Sequence, residues 1–179
     1  MNSKNNYQGL IVAGTHSSAG KSSVSMGLMR LLKDSGWSIK PFKVGPDYID
    51  PAHHTRACNQ PSYNLDTVMC TKKYVKDLFD DVVQKNDLAI IEGVMGLYDG
   101  ASPISEKGST AEIAKLLNLP VLLVIDGRAL SRSSAAMVLG FLQLDPKLNL
   151  IGVIANNINS TRHANIIKRS IEYYTSAKL

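Results

Sequence analysis

Cysteine is scarce: Cys58 and Cys70 are the two present in 179 residues, and neither sits in a metal-ligand spacing. A disulfide scaffold is set aside on that ground, and a reducing, cytoplasmic setting is expected. Aromatic residues make up 6% of the chain, and the 20 lysines and arginines are spread along it rather than gathered in a run. Nothing resembles a basic, aromatic-rich surface for stacking and neutralising nucleic acid. No apolar run approaches the roughly 20 residues of a membrane helix. The segment from Met1 to Tyr7 is polar and passes straight into a strand-like run, which is not the layout of a signal peptide. No nucleic-acid partner and no membrane partner is therefore expected. The net charge of +5 suits a polyanionic small molecule, such as a nucleotide or a polycarboxylate, as readily as it suits a solvated basic surface.

What is present is an ordinary globular composition, 44% apolar and 20% charged, long enough for one domain over residues 1–179. Short apolar runs alternate with helical patterns. Strands are predicted at 9–13, 39–44, 88–91, 121–125 and 150–155, and helices at 21–33, 71–83, 110–118, 133–142 and 161–174. That alternation predicts an α/β fold, a mostly parallel sheet with helices on both faces. Pro41 predicts an irregular or edge position for the second strand. Residues 46–69 lack periodicity and hold Pro46, Pro51 and Pro61, so a long functional loop is expected there. The chain stops on a helix straight after a strand. An incomplete sheet, and one part of a larger enzyme, are expected.

The first strand runs into Thr15, His16, Ser17, Ser18, Ala19, Gly20, Lys21, Ser22 and Ser23, and a helix follows. Gly20-Lys21-Ser22 fits the phosphate-loop signature, although Thr15 stands where the first glycine belongs and Gly14 precedes it. Backbone N–H groups entering a helix N-terminus offer fixed positive charge to phosphate oxygens. Lys21 would reach the outer phosphates, and the Ser22 hydroxyl would ligate magnesium. ATP and Mg2+ are the expected ligands of this P-loop NTPase-like domain.

Three carboxylates lie near predicted strand ends, on the side that faces the phosphate loop in such a sheet. Asp47 follows the second strand, Glu92 ends the third, and Asp99 lies seven residues further on. Glu92, Asp47 and Ser22 form the expected metal set, against the plainer possibility of solvated carboxylates at element ends. Lys43 could neutralise a transferred phosphate or a substrate carboxylate, or be a solvated lysine. Lys21, Lys43, Asp47 and Asp99 are the catalytic candidates. Asp126 is open between a further ligand and a helix N-cap. His53 and His54 are adjacent and point different ways, so they do not share an ion. No hydrolytic triad is defensible.

Four segments together resemble one family, the cobyrinic acid a,c-diamide synthases, in their amino-terminal, dethiobiotin-synthetase-like ATP-binding domain. They are Gly14 to Ser22; Phe42 to His54 with Asn64 to Met69; Ile91 to Gly100; and Ser109 to Ala114 continuing to Pro120 and Asp126. The resemblance implies a ligase that makes an acyl phosphate from a tetrapyrrole carboxylate, which ammonia then converts to an amide. It implies Lys21 and Ser22 at phosphate and magnesium, Glu92 as metal ligand, and Asp47 and Asp99 in metal binding and amidation. It further implies a carboxyl-terminal glutaminase domain that frees ammonia from glutamine, and it admits a homodimer. This chain supplies no glutaminase nucleophile, so nitrogen is expected from a separate glutaminase domain or from free ammonia.

Three alternatives stand beside that reading. A related branch amidates nickel sirohydrochlorin, and the sequence does not separate the two macrocycles. Dethiobiotin synthetase lacks the Gly45-Pro46-Asp47-Tyr48-Ile49-Asp50 segment found here. A nucleotide-switched partitioning ATPase would carry a second lysine where His16 stands.

Overall fold

In a computed structural model that describes residues 8–179, six strands form one sheet. Residues 1–7, where the absence of a signal peptide was expected, lie outside the described residues. The elements run β1 (Gln8–Gly14), α1 (Lys21–Asp34), β2 (Ser38–Val44), α2 (Ile49–Cys58), β3 (Tyr63–Leu65), α3 (Lys72–Val82), β4 (Asp87–Glu92), α4 (Thr110–Leu117), β5 (Val121–Asp126), α5 (Ser133–Leu144), β6 (Leu150–Asn156) and α6 (Thr161–Tyr174). The sheet order is β3-β2-β4-β1-β5-β6, and every pairing is parallel. The predicted parallel α/β fold is present.

Strand burial explains the sequence pattern. Ile11, Val12 and Ala13 of β1 are fully buried, because helices cover both faces of the sheet. Val12, Ile39, Ile90 and Val124 face α1 and α2, where Met29 and Cys58 meet them. Ile11, Phe42, Ile91 and Leu123 join the larger core with Val75 and Phe79 of α3 and Ile113 and Leu117 of α4. That core continues to Val138 of α5 and Ile167 and Ile171 of α6. The helices start where their caps put them: the Thr71, Ser109 and Ser160 side chains accept from the N–H of Tyr74, Glu112 and His163. Alternation along β2 and β4 places Lys43 and Glu92 on the α1–α2 face, with Ile39 and Ile90.

Two expectations are corrected. Residues 46–69 are not a structureless loop, since α2 and β3 lie within them. Pro51 falls in the first turn of α2, where its missing N–H has no helical partner to lose. The helix buries only His54 and Cys58, so it shows no apolar stripe. Nor is β2 an edge strand, because β3 and β4 flank it. Pro41 is tolerated because β3 pairs with Phe42 to Val44 only, leaving β2 a single neighbour at Pro41.

Candidate active site

The order of strands puts β1 between β4 and β5, so the chain leaves β1 towards β2 in one direction and leaves β4 towards β5 in the other. Ligand crevices in open parallel sheets lie at such a switch, beyond the carboxyl ends of the strands. The phosphate loop occupies that position. Its start is fixed to β5 by the Thr15 N–H donating to the Val124 carbonyl (3.1 Å). Ser18 and Gly20 take left-handed backbone (φ 67° and 103°), and α1 begins at Lys21. Only glycine fits at position 20, since a Cβ there would stand 2.0 Å from Asn156 Nδ2, which itself donates to the Ala19 carbonyl. The N-terminus of α1 has no side-chain cap and no acidic residue in its first turn. Its free N–H groups and dipole face the loop, as an anion site requires. Thr15 Oγ1 is buried there without a hydrogen-bond partner.

Lys21 reaches back over the loop. Its Nζ donates to the Met95 carbonyl (2.6 Å) and to the His16 carbonyl (3.3 Å). Met95 holds left-handed backbone (φ 46°), and its segment is tied to the loop by the Leu97 N–H donating to the Gly14 carbonyl (2.8 Å). Burial, and then the neighbouring Lys43 charge, push the Lys21 ammonium below its ordinary pKa.

Glu92 is the centre of the site, and it is fully buried rather than solvated. Its Oε1 accepts from Ser22 Oγ (2.6 Å) and Lys43 Nζ (3.0 Å), and its Oε2 pairs with His54 Nε2 (2.7 Å). Burial alone would raise the Glu92 pKa; the His54 hydrogen bond, the Lys43 charge and the Ser22 hydroxyl outweigh it and bring the carboxyl down to about 2. Lys43 is also buried and bridges Glu92 to Asp50 (2.5 Å), while donating to the Gly93 carbonyl (3.2 Å). Burial works against its charge, and the two carboxylates more than restore it, so its pKa is raised.

The remaining predicted residues take distinct places. Asp47 Oδ1 accepts from the N–H groups of Ile49 and Asp50 (2.8 and 3.1 Å), which starts α2, and the Asp47 carbonyl accepts from Asn64 Nδ2 (2.8 Å). Asp99 is exposed, accepts from the Gly96 N–H (2.9 Å) and adds to the field at Lys21. Asp126 is not the cap of α5, which starts seven residues later behind Arg132. It is held well below the usual carboxylate range by Arg128, with Asn157 donating as well (3.1 Å). His16, Ser17 and Ser18 are exposed on the loop; Ser22 is half-buried and Ser23 exposed. His53 is exposed and His54 buried, so the two rings do separate. Cys58 is buried, which pushes its thiol up to about 11, and Cys70 is exposed.

Sequence reasoning missed Asp50, His54 and Asn156. A helical reading of 49–58 would have found the first two, since Asp50, His54 and Cys58 recur every fourth residue and share a face. The donor set at Ser22 and Glu92, a hydroxyl and a carboxylate oxygen 2.6 Å apart beneath a lysine, suits a hard cation that keeps waters and phosphate oxygens as further ligands. Among the described residues no cluster of three His, Cys, Asp or Glu could hold a metal by protein ligands alone.

A family model described as AAA domain matches residues 8–178. The cobyrinate a,c-diamide synthase of Methanobrevibacter smithii is 47% identical over 170 residues, covering 95% of this chain and 38% of that protein. The enzyme of the same name from Salmonella typhimurium is 46% identical over 170 residues, covering 95% of this chain and 37% of that protein. The chain thus spans a little over a third of the length of these curated relatives. Among solved structures, the 54 kDa protein of the signal recognition particle from Aeropyrum pernix, in complex with GDP, superposes with a TM-score of 0.62 at 13% identity over 99% of this chain and 41% of that one. Chloroplast FtsY from Physcomitrella patens gives 0.61 at 14% identity over 100% of this chain and 58% of that one. At such identities the two superpositions show the P-loop NTPase-like fold and no more.

Proposed function

The chain belongs to the AAA domain family and is kin to the cobyrinate a,c-diamide synthases, and from that premise we propose that it is the carboxylate-activating part of an ATP-dependent amide ligase. The observation that carries the reading is the Ser22–Glu92–Lys43 constellation, set against the uncapped N-terminus of α1. In the proposed reaction a substrate carboxylate oxygen attacks the γ-phosphorus of ATP and ADP leaves. The resulting acyl phosphate is then attacked at its carbonyl carbon by ammonia; phosphate departs, a proton is lost, and the amide remains.

Each residue has a task that its environment suits. Lys21 and the N–H groups of the first turn of α1 bind the phosphates. Lys21 must first give up the Met95 and His16 carbonyls, and its high desolvation favours exchanging them for anionic oxygens. Ser22 and Glu92 would hold magnesium, and we propose Asp47, whose Oδ1 closes the turn into α2, as a further ligand. That ion would neutralise the triphosphate and orient it for in-line transfer. Lys43 offers positive charge for the transferred phosphoryl group, and Asp99 lies beside the loop as the acidic partner of amidation. Ammonia would come from a glutaminase domain or from solution. No helix among the described residues is long and apolar enough to cross a membrane. We propose a cytoplasmic setting from the scarcity of cysteine, with Cys58 and Cys70 both free.

The substrate class follows from the relatives' name, a tetrapyrrole bearing peripheral carboxylates. The protein incubated with ATP, Mg2+, ammonium chloride and cobyrinic acid is expected to release ADP and yield amides visible by mass spectrometry. ADP release that no tetrapyrrole carboxylate stimulates would sink the ligase assignment. Stimulation by nickel sirohydrochlorin alone would move it to the nickel macrocycle.

A further inference from the structure

His54 has no task in the reaction just described, yet it is fully buried and its ring lies against the most enclosed carboxylate of the site. Glu92 divides its two oxygens. Oε1 takes both the Ser22 hydroxyl and the Lys43 ammonium, and Oε2 pairs with His54 Nε2 at 2.7 Å. An ionised carboxylate only accepts, so Nε2 must carry a proton. On the far side of the ring Nδ1 stands 3.3 Å from Ser62 Oγ, which can donate to it. The relay therefore reads Ser62 O–H to Nδ1, and Nε2–H to Glu92. It requires no charge on the ring.

Without that donor, Oε2 would be a buried carboxylate oxygen facing nothing, and the carboxylate could turn about its terminal bond. A ligand to a small octahedral cation tolerates little of that freedom. His54 also sits on α2, whose first turn carries Asp50, paired with Lys43, and whose start is closed by the preceding Asp47. One short helix thus delivers two contacts around Glu92, His54 to its Oε2 and Asp50 to the Lys43 that meets its Oε1, and joins the Asp47 turn to the carboxylate that holds Ser22.

We propose that His54 is a positioning residue that orients the Glu92 carboxylate for the metal of the metal–nucleotide complex, a reading that rests on Glu92 being a metal ligand. The variant His54→Leu keeps bulk and removes the donor. His54→Gln keeps a donor near the place of Nε2. Mn2+ affinity is measured by electron paramagnetic resonance in the presence of a non-hydrolysable ATP analogue, alongside analogue affinity in EDTA. His54→Leu is expected to lose on the order of 10–100-fold in Mn2+ affinity, the usual cost of an outer-sphere partner, with analogue affinity in EDTA unchanged. His54→Gln is expected to recover most of the loss. Equal Mn2+ affinity in folded wild type and His54→Leu would overturn the proposal.

If wild type shows no nucleotide-dependent Mn2+ binding, the metal reading of Glu92 falls and this inference falls with it. A failure of tetrapyrrole amidation alone touches neither. Should His54→Leu not fold, nitrogen-15 NMR of the wild type decides. The expected signature is protonated Nε2, unprotonated Nδ1, and an Nε2 proton resonance that moves when Mg2+ and the analogue are added. A ring protonated at Nδ1 alone, or a resonance indifferent to Mg2+, overturns it.

Discussion

Lys21 holds a charge in a place that does not favour it. Its ammonium is buried, hydrogen-bonded among the described residues to two backbone carbonyls, and placed near the like charge of Lys43. Function accounts for keeping it, because an anionic ligand would repair all three deficits. Lys21→Met is therefore expected to leave the melting temperature of the unliganded protein unchanged or higher, while ATP affinity falls on the order of 10–100-fold, in line with about 1.5–3 kcal/mol for a charged hydrogen bond. Calorimetric melting and titration of the same sample check both halves; a variant that melts lower and binds normally refutes the idea. Lys21 was legible in the sequence because a lysine between glycine and serine at a strand–helix junction has few other uses. Lys43 and Glu92 were half legible, since strand ends could be located but burial could not. His54 was opaque: a histidine beside another histidine, in a segment without apolar period, gives no hint that a carboxylate 38 residues away will meet it.

The elements divide the same way. Helices α3 and α6 announce themselves because their buried positions, Val75 and Phe79, Ile167 and Ile171, are apolar and recur at helical spacing. Helix α1 shows the same spacing in the half-buried Val24, Leu28 and Leu32, while its buried positions are Lys21, Ser25 and Met29. Helix α2 spends its buried face on His54 and Cys58 and begins with an Asp47 turn and Pro51, which read locally as loop chemistry. Helix α4 shows how a polar side chain secures an element. Glu112 is nearly fully buried in its first turn, accepts from the Gly108 N–H (2.7 Å) and the Thr67 hydroxyl, and pairs with Lys72 (2.8 Å). It binds the start of α4 to the Gly108 turn just before it and to Thr67 and Lys72 at the entry to α3. Burial would raise its pKa, but Lys72, Thr67 and Gly108 together lower it below 4.5. A carboxyl with a depressed native pKa stabilises the fold fully above its unfolded value and loses that contribution as pH falls below it. Glu112→Gln cannot satisfy all three donors and is expected to cost about 1–3 kcal/mol at pH 7. The gap to wild type should narrow progressively as the pH drops below 4.5. Urea denaturation at pH 7 and at successively lower pH tests it, and a gap that stays constant with pH would show that the ionised form is not what matters.

For the whole molecule, alternation of apolar runs and helical patterns predicted a parallel sheet, but not which strand lies beside which. Strand β1 pairs with β4 and β5 and not with β2, a crossover set by packing between distant segments. That order gathers Gly14, Lys43, Glu92 and Asp126 at one edge of the sheet. It also means that a ligand there touches segments separated by most of the chain. Binding should consequently stabilise the molecule as a unit, by RT ln(1 + [L]/Kd), about 2.7 kcal/mol at one hundred times Kd. For a domain of this size each kcal/mol moves the melting point by about 2–4 °C, so a rise of about 5–10 °C is expected with saturating Mg2+ and ADP. ADP with EDTA should give a smaller rise, from the loop N–H groups and Lys21 alone. The difference between the two belongs to the metal, and Ser22→Ala should erase most of it while sparing the EDTA rise. A Ser22→Ala protein that keeps the full Mg2+-dependent increment would remove Ser22 from the metal site, and would leave its hydrogen bond to Glu92 as a structural contact only.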